Sequence, residues 1–155
     1  GMTPDVLDGT GTVDIRITDI PLVAQRYVLH TDITGFGLAG HLMEMLQASQ
    51  TSATLDLTNL PLLPGAAEAF NDGIESTLAP NNRVVERSIV GSAEAKARPE
   101  YKALFDPQTC GGLLACVPVN KAEKLQSKFE TVGEPIWEIG VIKQQQTPRI
   151  TVKTG

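Results

Sequence analysis

Apolar residues recur along this chain with two spacings, one typical of strands and one typical of helices. Residues 27–33 are rich in apolar and β-branched side chains and predict a strand that stops at the glycine turn 34–37. Directly after the turn, apolar residues fall at i, i+4, i+7 and i+8, which predicts a helix with one apolar stripe: Leu38, Leu42, Met45 and Leu46. The first readable unit is therefore a strand, a glycine turn and a helix.

The rest of the chain continues this alternation. The sequence predicts strands at 54–57, at the apolar run 113–119 and at 136–142, and an edge strand at 149–152. Helical spacing predicts a short helix from 66 to about 73 and a longer one over 121–130. The alternation predicts an α/β or α+β fold, with one mixed β-sheet and flanking helices.

Two segments are harder to interpret. The polar stretch 81–99 has no sustained period, so we expect a long loop with at most one helical turn, and a loop of that length in a compact domain suggests a role. Residues 1–26 form a leader in which Val13, Ile15 and Ile17 alternate and suit an edge strand. We expect a single domain over 27–155, because 155 residues of which 41% are hydrophobic can build one core.

Charge and hydropathy exclude some partners. The formal net charge is -5 and the pI is near 5.0, which opposes attraction to a phosphate backbone, so nucleic acid is not an expected partner. The sequence has no apolar run close to the roughly 20 residues that cross a bilayer, and it does not begin like a signal peptide. We therefore expect a soluble cytoplasmic protein without a membrane partner.

Residues 31–41 form the first stretch that could carry chemistry. A strand that ends at Asp32, followed by a glycine turn and a helix start, would place a carboxylate beside unpaired backbone N–H groups, where magnesium and phosphate could share a site. The alternative is a purely structural turn in which glycines allow unusual φ angles and Asp32 or Thr34 caps the helix. His41, one helical turn later, is either a structural residue or a ligand contact.

Residues 105–114 form the second stretch, in which polar residues precede Gly111 and Gly112. The two glycines would let the backbone approach a ligand closely, or would simply make a tight loop before a buried strand. Cys110 is either a nucleophile, for which the sequence shows no evident base, or an unreactive, serine-like residue. Cys116 lies within the apolar run and is expected to be a core thiol.

The two stretches together resemble the signatures of the C-terminal domain of selenophosphate synthetase (selenide, water dikinase), a member of the aminoimidazole ribonucleotide synthetase-like superfamily. Residues 31–41, TDITGFGLAGH, are similar to the family pattern TDVTGFGLLGH, and residues 106–114, DPQTCGGLL, to DPQTSGGLL. Residues 60–65 and 138–141 also resemble the family, so the likeness runs from about residue 27 to 142. The main departure inside the motifs is Cys110, where the family usually has serine.

The resemblance implies a fold that is partly ferredoxin-like and a reaction in which ATP and hydrogen selenide give selenophosphate, AMP and phosphate, with Mg²⁺ in attendance. It implies that Asp32 is a magnesium ligand and that Thr34, Gly35 and Gly37 shape the phosphate side of the ATP cleft. Family members are dimers whose N-terminal domain holds the reactive cysteine or selenocysteine, a lysine and most nucleotide contacts. We expect that domain to be missing here, so this chain should hold no catalytic residue and should be inactive alone.

The sequence leaves two other hypotheses open. Because residues before 27 do not look like the family's leading helix, the chain could be a non-catalytic binding or dimerisation module derived from that domain. It could also belong to a sister ATP-dependent family, such as thiamine-monophosphate kinase or a hydrogenase maturation protein. The pairing of the Gly-Phe-Gly and Asp-Pro-Gln-Thr motifs argues against the sister families.

Overall fold

The computed structural model describes residues 12–17, 29–109, 111–144 and 147–155. Its strands are β1 (Thr12–Ile17), β2 (Leu29–Asp32), β3 (Thr51–Asp56), β4 (Ile89–Val90), β5 (Leu113–Pro118), β6 (Ile136–Gln144) and β7 (Ile150–Lys153). Within the described residues they form one seven-stranded sheet in the order β2-β5-β1-β6-β3-β7-β4. The sheet is mixed, because β2 with β5 and β3 with β6 are antiparallel pairs and the other pairs are parallel.

Helices and 3₁₀ turns connect these strands. The helices are α1 (Gly37–Ser49), α2 (Ala66–Asn71), α3 (Ala79–Asn82), α4 (Ala93–Ala97), α5 (Pro99–Ala103) and α6 (Val119–Val132), and the 3₁₀ turns are Leu57–Asn59 and Arg83–Ser88. This content confirms the predicted α+β class with a mixed sheet. Across the residues that the structure describes, no helix combines the length and apolar character needed to cross a bilayer.

Strand β5 is covered on both faces. Leu114 and Cys116 belong to the main hydrophobic core, where the apolar stripe of α1 also lies. Ala115 and Val117 alternate with them and are equally buried, but they point to the opposite face, against which α6 packs. Burial on both faces explains why β5 appears in the sequence as an uninterrupted apolar run rather than as an alternating one.

Helix α1 begins directly after the glycine turn, as its sequence predicts. Leu38, Leu42 and Leu46 are buried along one face, as the i, i+4, i+8 spacing requires, and they pack into the main core. The helix stops at Gln50, which has a left-handed φ of 53° and whose N–H bonds back to the carbonyls of the last turn. The predicted glycine turn and helix after β2 are therefore confirmed.

Two predictions about sheet edges are wrong. Strand β1 forms where alternation predicted it, yet it lies between β5 and β6 and pairs with both, inside the sheet. Residues 12–17 of the supposed leader therefore belong to the same sheet as the rest of the fold. Strand β7 lies between β3 and β4 and is not an edge either. Both errors have one cause, since the neighbours come from distant parts of the chain that local alternation does not reveal.

The prediction of one long loop at 81–99 is also wrong. This segment contains the end of α3, the 3₁₀ turn Arg83–Ser88, the edge strand β4 and the helix α4. Each element is too short to show a hydrophobic period. Instead, tertiary contacts hold them: β4 pairs with β7, and the Ser92 hydroxyl accepts the Ala95 N–H at 3.1 Å to cap α4.

Asp56, at the end of β3, bonds to the end of β7 and to the residues that follow it. Its Oδ1 accepts hydrogen bonds from the N–H groups of Thr58 (3.0 Å) and Gly155 (3.1 Å), and Lys153 lies 3.2 Å from Oδ2. Burial raises the pKa of this carboxyl, but these contacts and the Thr58 hydroxyl outweigh burial and lower the pKa to about 2.

This shift predicts an acid-dependent contribution to stability. Because the pKa is lower in the folded state than the ordinary 3.8, the contribution is present above about pH 4 and is lost as the pH falls through about 2. In urea unfolding near pH 6, Asp56→Asn should be about 1–2 kcal/mol less stable than the native chain, and the difference should shrink as the pH approaches 2. A difference that stays constant with pH would show that the charge of Asp56 contributes nothing.

Candidate functional site

Two loops, defined by the two motif stretches, meet at one end of the sheet. Loop A (residues 33–37) leads from β2 into α1, and loop B (residues 104–112) leads from α5 into β5. Strands β2 and β5 pair antiparallel, with Asp32 opposite Leu113. The structure therefore brings together the two stretches that the sequence analysis selected separately.

Backbone hydrogen bonds fasten the loops to each other. The carbonyl of Ile33 accepts a hydrogen bond from the N–H of Gly111 at 3.1 Å. The N–H of Ile33 donates to the carbonyl of Gly112, also at 3.1 Å. The carbonyl of Thr34 accepts the N–H of Gln108 at 3.1 Å, and the N–H of Ala39, in the first turn of α1, donates to the carbonyl of Leu104 at 2.9 Å. These bonds satisfy groups that a turn and a helix start would otherwise leave unpaired, and they join the two loops in one junction.

The predicted metal residue lies at the exposed end of β2. The Asp32 side chain faces solvent, and it is followed by Ile33, which is buried in the core. Asp32 neither caps α1 nor belongs to a group of potential ligands: in the part of the chain that the structure describes, no three or more His, Cys, Asp or Glu side chains cluster to hold a metal. It is an exposed carboxylate directly before loop A.

The two glycines of the predicted phosphate side differ in what the fold requires of them. Gly37 has φ of +71°, and a Cβ there would lie 2.9 Å from the carbonyl oxygen of Leu104, so both conformation and space require glycine. Gly35 has no such constraint: a Cβ would meet nothing within 4 Å, and its φ lies outside the left-handed region. Neither packing nor backbone conformation explains the glycine at position 35.

His41 holds loop A in place. Its Nε2 accepts the backbone N–H of Thr34 at 3.1 Å and lies 3.0 Å from the Thr34 hydroxyl. Because a backbone N–H can only donate, Nε2 is the acceptor of this bond, and Nδ1 lies 3.7 Å from Glu44. The Phe36 ring contacts the imidazole edge-on, with centroids 5.7 Å apart. These contacts support the structural alternative for His41, and the Thr34 hydroxyl is engaged with it.

Loop B is anchored by Phe105, which is fully buried. The Arg83 guanidinium lies over its ring, 4.7 Å from the centroid, and Tyr101 meets the ring edge-on at 5.3 Å. Arg83 is in turn paired with Glu75 at 2.9 Å. Tyr101 donates its hydroxyl to Glu86 at 2.8 Å, and burial together with this carboxylate raises the Tyr101 pKa well above its usual range.

Asp106 follows as a half-buried carboxyl. Burial raises its pKa, with a smaller contribution from the charge of Glu75, and a hydrogen bond from the Gln108 amide at 2.9 Å opposes both effects. The hydrogen bond turns Asp106 towards its own loop. Of the two cysteines, Cys116 is buried in the core as predicted, and Cys110 lies outside the described residues.

Asn82 is the residue that the sequence analysis missed. It is 8% exposed, and its side-chain amide donates to the carbonyl of Gly35 in loop A (2.8 Å) and to the carbonyl of Phe105 in loop B (2.9 Å). An asparagine in a polar stretch without periodicity gives no signal of burial. The one available hint was the unusual length of the apparent loop at 81–99, which suggested a role without indicating a residue.

Residues 16–153 match the family model described as AIR synthase related protein, C-terminal domain. Since the match covers most of the chain, the chain belongs to this family.

Curated proteins named selenide, water dikinase are similar to this chain. The one from Nitratidesulfovibrio vulgaris strain Hildenborough is 35% identical over 130 residues (79% of this chain, 36% of the relative). The one from Pelobacter propionicus is 36% identical over 138 residues (87% and 40%), and the one from Carboxydothermus hydrogenoformans is 42% identical over 112 residues (72% and 32%). The chain thus spans between about a third and two fifths of these relatives. The predicted resemblance to the selenophosphate synthetase C-terminal domain is confirmed.

Proposed function

We propose that this chain is the C-terminal part of a selenide, water dikinase and that loops A and B form one wall of its ATP cleft. The observation that carries the proposal is the junction itself: both motif stretches, far apart in sequence, are bonded to each other at the sheet end where Asp32 is exposed. The similarity to selenide, water dikinases over most of the chain supports the same reaction, with ATP and selenide as substrates.

Asp32 suits a role as a magnesium ligand in that cleft. Mg²⁺ commonly takes one or two protein carboxylates and completes its shell with phosphate oxygens and waters, so a single exposed carboxylate is an adequate contribution. The remaining ligands would come from ATP phosphates, water or groups outside the described residues. When bound, Mg²⁺ would neutralise charge on the phosphates, while Asp32 would hold the ion beside loop A.

Thr34, Gly35 and Gly37 would serve the phosphate side in different ways. Thr34 is engaged with His41, and the N–H of Gly37 donates to the carbonyl of Thr34, so these two residues set the shape of the turn. Gly35 is exposed, and the space that a Cβ would occupy there is open. The absence of a side chain there would let a phosphate approach the backbone closely. Such an approach would explain the glycine at position 35, which the fold alone does not explain.

The chain would supply binding groups and no catalytic residue. In this proposal the reactive cysteine or selenocysteine and the lysine belong to an N-terminal domain, as the family resemblance implies, and the assembled enzyme is a cytoplasmic homodimer.

A domain exchange tests the proposal. The part of the Pelobacter propionicus relative that aligns with this chain would be replaced by the chain, and the fusion protein expressed in a host that lacks its own selenide, water dikinase. We expect selenium incorporation into host proteins to return, and the purified fusion to form AMP only when selenide is supplied. The relative without its C-terminal part is the control and should be inactive.

A folded fusion protein without AMP formation would contradict the enzymatic proposal. That outcome would favour the alternative in which the domain serves only binding or dimerisation.

A further inference from the structure

We infer that Asn82 is a positioning residue that locks loops A and B into the arrangement that receives the phosphates of the substrate. The inference deepens the proposed function and rests on it. It concerns a residue in neither motif stretch, located at the last position of the short helix α3.

The geometry of the Asn82 amide is specific. Both contacts are to backbone carbonyl oxygens, which only accept, so the NH₂ group must face them and both of its protons are used. One proton goes to Gly35 and the other to Phe105, so a single planar group spans the two loops. The amide cannot rotate without breaking one of these two hydrogen bonds.

Asn82 is itself held rigidly. The helix that carries it has proline in its first turn, and the next residue, Arg83, stacks on the Phe105 ring and pairs with Glu75. Two consecutive residues therefore contact Phe105: Asn82 bonds to its carbonyl and Arg83 covers its ring. These contacts hold the segment in place, and the side-chain amide of Asn82 reaches loop A from it.

The bond to Gly35 also sets the direction of a backbone donor. Among the described residues all peptide bonds are trans, and in a trans peptide the C=O and the N–H point to opposite sides. Because the Gly35 carbonyl points at the buried Asn82, the N–H of Phe36 points away from it. The same amide contact that fastens loop A therefore turns a donor outward at the place proposed for a phosphate.

Amide hydrogen exchange in the 155-residue chain tests the coupling directly. In Asn82→Ala, the protected amides of Gly37 and Gln108, which both bond to the carbonyl of Thr34, should exchange at least about tenfold faster. Asn81→Ala changes the exposed neighbour in the same helix and should leave both rates unchanged. Ile139→Val removes a methylene from the core in strand β6, outside both loops, and controls for loss of stability alone.

The fusion protein tests the consequence for the reaction. Asn82→Ala should lower kcat/KM for ATP about tenfold, mainly through KM, at temperatures where the variant is folded, and Ile139→Val should not. If Asn82→Ala does not fold, Asn82→Ser, which keeps one donor, replaces it and should show a smaller change of the same kind.

The outcomes separate the two proposals. Unchanged exchange in both loops, or equal changes in Ile139→Val, would overturn the role of Asn82, as would an unchanged kcat/KM in an active fusion. Faster exchange in both loops together with a fusion that is inactive even with the native domain would instead refute the proposed function and leave the loop coupling established.

Discussion

Replacing Asp32 with asparagine should lower the selenide-dependent ATP turnover of the fusion protein about 100-fold, equivalent to about 2.7 kcal/mol of transition-state stabilisation. An amide is nearly the same size as a carboxylate but is a neutral, weak ligand for a hard cation. The expected loss should shrink when Mg²⁺ is raised, because weaker binding is offset by mass action. The measurement is AMP formation across a magnesium titration.

Folding should not contribute to this loss. The Asp32 side chain is exposed and caps no helix, so Asp32→Asn should leave the thermal unfolding of the chain unchanged. The matched control is Asp72→Asn, an exposed aspartate beyond the end of α2 and outside both loops, which should keep full turnover. Full turnover in Asp32→Asn as well would remove Asp32 from the metal site.

The second large effect concerns stability at the junction of the loops. Gly111→Ala should destabilise the chain by about 3 kcal/mol or more, measured by urea unfolding. A Cβ at this position would lie 2.2 Å from the carbonyl oxygen of Ile33 and 2.9 Å from the Ile33 Cβ. Ile33 is in the core, and both its N–H and its carbonyl are bonded to loop B. Neither Ile33 nor Gly111 can therefore move without losing hydrogen bonds.

Gly35→Ala is the control for that variant. Alanine at position 35 meets open space and needs no left-handed φ, so stability should be unchanged or higher by up to about 1 kcal/mol. A comparable loss in both variants would show that the two glycines have the same structural role. In the fusion protein Gly35→Ala should raise the KM for ATP, since the added methyl group would lie on the proposed path of the phosphate.

The motif stretches could be found from sequence because each combines unusual residue types within a few positions. Asp32, the glycine turn and the apolar stripe of α1 appear consecutively, and the structure arranges them as local rules predict. The roles within the turn were less accessible. The fold requires glycine at position 37 but not at position 35. The difference depends on their surroundings, because Gly37 lies against loop B and a side chain at position 35 would meet open space.

Asn82 illustrates the limit of local inference most clearly. Burial of a polar side chain depends on the acceptors that tertiary structure places around it, and here both acceptors come from other segments of the chain. The same holds for Arg83, whose guanidinium covers a ring more than one element away. A sequence reading of residues 81–99 as a polar loop therefore overlooked the segment that joins the two motifs.

The sequence by itself determined the class of the fold, most of its longer elements and the two stretches that resemble selenophosphate synthetase C-terminal domains, because periodicity and turn residues act over a few neighbours. Only the tertiary structure decided that β1 and β7 are inner strands, that the two loops share one junction, and that Asn82 bridges them. Strand order and hydrogen bonds across the fold depend on which distant segments meet. The physical reason is that such contacts are selected by the packing of the whole core, which no local pattern encodes.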